Sequence, residues 1–174
     1  MSVQIDIQLA DDVSESIEEP PPRSLLRDWA QAAWQGDANA EPVLSLRIVS
    51  ASESQQLNND YRGKNKPTNV LSFPLQIEDG FADFALPEMM LGDLVICAQV
   101  VADEAKQQQK TNTAHWAHML VHGMLHLQGF DHIEDAQAEE MEALEIKIMQ
   151  QLGFDNPYLN TSNKLENMSA TESK

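Results

Sequence analysis

Leu94-Val95-Ile96-Cys97-Ala98 is apolar at every position from 94 to 98. A strand with one wet face alternates apolar and polar side chains, whereas a strand covered on both faces need not. This stretch therefore predicts a strand at the centre of a sheet, and the rest of the chain is read outward from it. Downstream, a helix is expected to about Gln109, and Thr111-Asn112-Thr113 breaks and recaps the chain. A second helix is expected from about Ala114 to Gln128, ended by Gly129. A third runs from Asp135 to Leu152, with Ala136, Met141, Leu144, Ile148 and Leu152 spaced for burial. Upstream, residues 76–91 hold Gly80 and Pro87, show no period and read as a long loop. Asn69 to Phe73 reads as a strand stopped by Pro74, and Pro42 to Val49 as another. Between them, Ser50 and Glu53 make a capping box for a helix from Ala51 to Tyr61. Nearer the start, Val3 to Leu9 alternates as a half-buried strand does. Ser24 is placed to cap a helix carrying Leu25, Leu26, Trp29 and Ala33 on one face. The expected fold is α+β: a single domain over residues 1–155, a small mixed four-stranded sheet with about five helices packed on it. Residues 156–174 are expected to form a disordered polar tail.

The chain has 174 residues, a length that suits one domain with a real core. Its only cysteine is Cys97, so an intramolecular disulfide is impossible and a reducing cytoplasm fits. No apolar run approaches bilayer length, and the first residues lack the pattern of a signal peptide, so no membrane association is expected. The net charge is −17. Such acidity argues against non-specific nucleic-acid binding. Within the neutral stretch 29–77, however, Arg62-Gly63-Lys64-Asn65-Lys66 forms the one basic cluster. A phosphate-handling site built on that loop remains compatible with the overall charge.

Three of the five histidines fall in residues 122–132, HGMLHLQGFDH. His122 and His126 are four apart and share a helix face, so both rings can address one ion. Gly129 ends the helix and lets the chain reverse, which brings His132 back toward the same point. Three imidazoles without a thiolate make a catalytic rather than a structural metal set, with a fourth position open. Zinc, one per chain, is the expected ion. It lowers the pKa of a bound water to about 7. Nickel or another divalent metal is compatible with imidazole ligands. A His118/His122 pair is also geometrically allowed, but only the set 122/126/132 makes use of Gly129. His118 is read as supporting the site from behind or as core, and His115 as a surface residue. Asp131 adjoins a ligand and has two readings, orienting an imidazole or capping the turn after Gly129. Asp93, ahead of the apolar strand, reads as structural.

Zinc peptidases of the metzincin type carry HExxHxxGxxH. This chain matches both intervals and the glycine but has Gly123 in place of the glutamate. That glutamate is the general base of peptide hydrolysis, so peptidase action is disfavoured. A phosphodiester makes a different demand, since its transition state gains charge on phosphoryl oxygens that a metal and a guanidinium can stabilise. Arg62 is the candidate guanidinium, with Lys64 and Lys66 beside it as candidate substrate contacts. The alternative for the two lysines is a solvated basic turn.

Tyr61-Arg62-Gly63-Lys64, Pro67 to Phe73, Leu91 to Ile96 and His122 to His132, extended by Glu139-Glu140-Met141-Glu142, together resemble the YbeY family of bacterial endoribonucleases. The resemblance implies a metal-dependent, single-strand-specific RNase that matures the 3′ end of small-subunit ribosomal RNA and serves ribosome quality control. It implies zinc on His122, His126 and His132 and an essential arginine at Arg62. Two rivals stand beside it: a metallopeptidase with a displaced base, and a non-catalytic ribosome assembly factor stabilised by its metal. The acidic surface suggests a basic small-subunit ribosomal protein as a second partner, next to ribosomal RNA.

Overall fold

In the computed structural model, residues 3–10, 20–74, 89–131 and 133–158 are described. The elements are β1 (Gln4–Leu9), α1 (Arg23–Ala33), β2 (Pro42–Val49), α2 (Ala51–Arg62), β3 (Val70–Pro74), β4 (Met89–Cys97), α3 (Ala98–Gln107), α4 (Asn112–Leu127) and α5 (Asp135–Gln151). The sheet order is β1-β2-β4-β3. β1, β2 and β4 run parallel, and β3 is antiparallel to β4. The apolar stretch at 94–97 thus lies in an interior strand, as its composition demands, and β3 is an edge. Among the described residues the chain forms a mixed four-stranded sheet with five helices.

Strand periodicity sorts the core into two layers. Leu44, Leu46, Ile48, Leu94 and Ile96 point to one face and pack with Leu26, Trp29, Leu120, Met124 and Ile148 from α1, α4 and α5. Val49, Leu71, Val95 and Cys97 point to the other, under Leu57 of α2 and Val100 of α3. Helix α4 is the spine of the larger layer, with every residue from His115 to Val121 buried. A helix buried this fully needs partners on most sides, and α1, α3, α5 and the sheet supply them.

Two local differences from the sequence reading have physical causes. β4 begins at Met89, inside the segment read as loop. Its register against β2 shifts at Val43/Leu44, which pair with Met90 and Gly92, so Leu91 is the extra residue of a bulge. A bulge reverses which side chains face the core, and the period is lost there. Helix α1 starts at Arg23 with Pro22 as its N-cap, φ −64°, and no side-chain cap; proline is already set for a helix entry. As expected, Ser50 caps α2 by accepting from the Glu53 N–H, and the Glu53 carboxylate also reaches Arg47. Residues 159–174 of the expected tail and residues 76–88 of the expected loop lie outside the described residues.

Candidate metal centre

Helix α4 is started by Thr111, whose hydroxyl accepts from the Ala114 N–H. It is stopped by a reversal in which the Gly129 N–H donates to the His126 carbonyl and the Phe130 N–H to the Leu125 carbonyl. This Schellman pattern needs a left-handed residue after the cap, and Gly129 supplies it at φ 99°. Phe130 then packs against the main core. His132, expected as a ligand, lies outside the described residues.

Along α4 the imidazoles form a ladder whose parts differ in burial and partners. His122 Nδ1 lies 2.6 Å from Glu145 Oε1, and His118 Nε2 lies 3.2 Å from the same oxygen. The other oxygen of Glu145 accepts from the Tyr158 hydroxyl. Glu145 is fully buried, and His122 and His126 face each other, Nε2 to Nε2, at 3.1 Å. Burial alone would raise the Glu145 carboxyl. The hydrogen bonds from His118 and His122, the His122 charge and the Tyr158 hydroxyl outweigh it and hold the group at about 2. The His118 ring is pushed below its ordinary value by burial, against the pull of Glu145. Tyr158 is pushed up by burial and by the Glu145 carboxylate.

Two donor sets therefore meet at His122. Among the described residues, His118, His122 and Glu145 offer ligand atoms within 4.8 Å of one another and form a group able to hold a metal. The second set is the Nε2 pair of His122 and His126. Two ligands of one tetrahedral zinc, each at 2.0–2.1 Å, lie about 3.3–3.4 Å apart. The Nε2 pair is close to that spacing and borders an open cleft of about 640 Å³. The 2.6 Å contact of Glu145 is instead that of a charge-assisted hydrogen bond. An anionic Glu145 that accepts from Nδ1–H leaves Nε2 of His122 with its lone pair toward the cleft, the arrangement that ligating histidines share.

The cleft joins separate parts of the chain. Its walls include Tyr61 and Arg62 from the end of α2, residues 68–73 of the following loop and β3, His122, His126 and Asp131. Arg62 is set by a pinned loop. Gly63 closes α2 in the left-handed region. The Ser54 hydroxyl donates to the Thr68 carbonyl and accepts from its N–H, both at 2.9 Å, and Asn58 donates to the Lys66 carbonyl. Lys64 and Lys66 are exposed and do not line the cleft. His118 sits behind His122, buried. His115 is not a surface residue: it is 2% exposed and bonded at 2.9 Å to Glu104, which also accepts from Asn69. Gly123 is a point of close approach, where a Cβ would meet Leu94 Cδ2 at 2.7 Å and Val70 Cγ2 at 3.3 Å. A side chain there would have to displace the end of Leu94 and crowd Val70, so packing opposes the glutamate that the peptidases carry at this position.

Glu145 and Tyr158 were not singled out by sequence. The signal for Glu145 is its position between Met141 and Ile148 on a core-facing stripe, where a charge demands a buried partner.

A family model described as endoribonuclease YbeY matches residues 8–153. Among solved structures, the solution structure of TM1509 from Thermotoga maritima superposes with a TM-score of 0.53 at 25% identity, covering 85% of this chain and 87% of that one.

Proposed function

Because the chain belongs to the YbeY endoribonuclease family, we propose that it is a zinc-dependent, single-strand-specific endoribonuclease acting in 3′-end maturation of small-subunit ribosomal RNA and in ribosome quality control. The observation that carries this reading is the convergence of the His122 and His126 Nε2 atoms with Arg62 on one cleft. His122, His126 and, from the motif spacing, His132 hold the ion. Zinc suits this donor set, and nickel or another divalent metal could take its place. A bound zinc would supply Lewis-acid charge at a phosphoryl oxygen.

The remaining work falls to the chain's own residues. Glu145 fixes the tautomer of His122 and strengthens its Nε2 as a donor. The phosphodiester lies between the histidines and Arg62, whose guanidinium neutralises charge gained in the transition state. Lys64 and Lys66, off the cleft wall, guide the flanking backbone. Asp131 lines the cleft and orients a neighbouring imidazole. The peptidase rival loses its usual base position to the contact of Gly123 with Leu94.

No helix among the described residues is long and apolar enough to cross a membrane, and a cytoplasmic site of action fits ribosomal RNA as substrate. With a net charge of −17, the enzyme would gain from a basic small-subunit ribosomal protein that brings it to RNA. Replacing Arg62 by Glu tests the reading. Cleavage of single-stranded RNA should be lost while metal content stays near that of the wild type. Cleavage that survives the replacement would remove Arg62 from the mechanism.

A further inference from the structure

Tyr61, one residue before Arg62, is 68% exposed. A large aromatic ring left in water beside a guanidinium needs a reason. The ring stands edge-on to Phe73, with centroids 5.0 Å apart and planes at 67°. The two rings form a ridge between the cleft of the histidines and a second cavity of about 470 Å³, and both rings line both spaces.

The second cavity opens over the sheet face opposite α4. Its walls carry Ser45, Arg47, Glu53 and Asp93 beside the aromatic ridge. Arg47 and Glu53 are paired through two contacts, at 2.5 and 2.9 Å, so the guanidinium already has a carboxylate. Asp93 is an exposed carboxylate. This lining disfavours a phosphate, because Asp93 repels it and Arg47 is neutralised. It favours a neutral planar group with N–H donors on its edge and a π face for the tyrosine. That is the chemistry of a nucleobase bearing an exocyclic amino group. Single-stranded RNA is commonly held in this way, by bases splayed onto aromatic rings and carboxylates accepting from amino edges.

We propose that this cavity is a nucleobase subsite: the nucleotide next to the scissile phosphate stacks its base on Tyr61, and Asp93 accepts from the base's amino group. The proposal rests on the reading that the phosphate lies between His122/His126 and Arg62. It adds that the enzyme distinguishes cytosine, adenine or guanine from uracil at that one position. It also gives a structural reason for single-strand preference, since a paired base could not leave its stack to enter the cavity.

The test uses the full chain loaded with zinc and short labelled single-stranded oligoribonucleotides, with Kd read by anisotropy at low temperature and RNA integrity checked on a gel. Tyr61→Ala should raise Kd roughly tenfold or more, the usual scale for losing one stacked base. Tyr61→Trp should restore it, and zinc content and thermal midpoint should match the wild type in both. An abasic site scanned along the RNA should cost the wild type a similar factor at one position, and Tyr61→Ala nothing further there. Unchanged binding by Tyr61→Ala, or penalties that multiply in full, would overturn the stacking role. Asp93→Asn should erase the preference for cytosine over uracil; a wild type without that preference would overturn the role of Asp93. Wild-type protein that takes up no zinc, or cleavage that survives Arg62→Glu, would instead refute the underlying functional reading.

Discussion

Replacing Glu145 by Gln is the sharpest probe of how the metal centre is built. The side chains are nearly the same size, so the fully buried site keeps its packing and loses its charge. Glutamate presents one oxygen to both His122 and His118 and the other to Tyr158. Glutamine can keep its oxygen toward His122, and the Tyr158 hydroxyl can rotate to accept from the new amide. What changes is that the bond to His122 becomes neutral. Hydrogen bonds to charged groups contribute about 1.5–3 kcal/mol and neutral ones about 0.5–1.5, so the loss is about 1–2 kcal/mol. At about 1.4 kcal/mol per decade, that is a 5- to 30-fold weaker zinc Kd, at the low end of the 10- to 100-fold range for groups that support ligating histidines. The assay is zinc titration against a competing chromophoric chelator, with the thermal midpoint of the metal-free protein recorded in parallel. Zinc affinity equal to the wild type would refute the claim that Glu145 acts through His122. A lowered midpoint with unchanged affinity would assign Glu145 to packing alone.

Other consequences follow from the same geometry. Tyr158→Phe, which removes only the hydroxyl that Glu145 accepts from, should weaken zinc binding by a few-fold in the same titration. Gly123→Glu should destabilise the fold by at least about 3 kcal/mol, from overpacking against Leu94 and an unpaired buried charge. Urea unfolding would measure it, and peptidase activity should not appear. The metal-free protein should lose stability in acid in two windows. His118 has a lowered folded pKa against an ordinary 6.5, so the unfolded chain takes up its proton first and stability falls below pH 6.5. Glu145, about 2 in the fold against 4.5, contributes fully above 4.5 and loses that contribution as pH falls toward 2. A urea midpoint flat from pH 7 to 3 would contradict both assignments.

The elements of this fold are largely legible because their signals are local. The apolar run at 94–97, the alternation at 3–9 and the glycine at 129 each report on their own neighbourhood, and each corresponds to an observed feature. The edge of β4 was hidden because the Leu91 bulge breaks the two-residue period. His115 reads as a surface residue in the sequence because its hydrogen-bond partner, Glu104, comes from another helix, and nothing local announces that contact. The same limit applies to Glu145 and Tyr158, which lie 23 and 36 residues after His122: Glu145 meets His122 through the packing of α5 on α4, and Tyr158 bonds Glu145. The pinning of the loop after Arg62 by Ser54 and Asn58 is likewise invisible in the sequence, since small polar residues on a helix read as solvated until their burial is seen.

The account depends on one divalent ion at the His122/His126 pair being required for cutting RNA. The direct measurement is metal content by elemental analysis, combined with single-turnover cleavage of a small-subunit ribosomal RNA precursor, with and without chelator. The account predicts about one zinc or equivalent ion per chain, cleavage abolished by stripping and restored on reloading, and His126→Ala losing ion and cleavage together. Undiminished cleavage by fully stripped protein, or by His126→Ala, would contradict it.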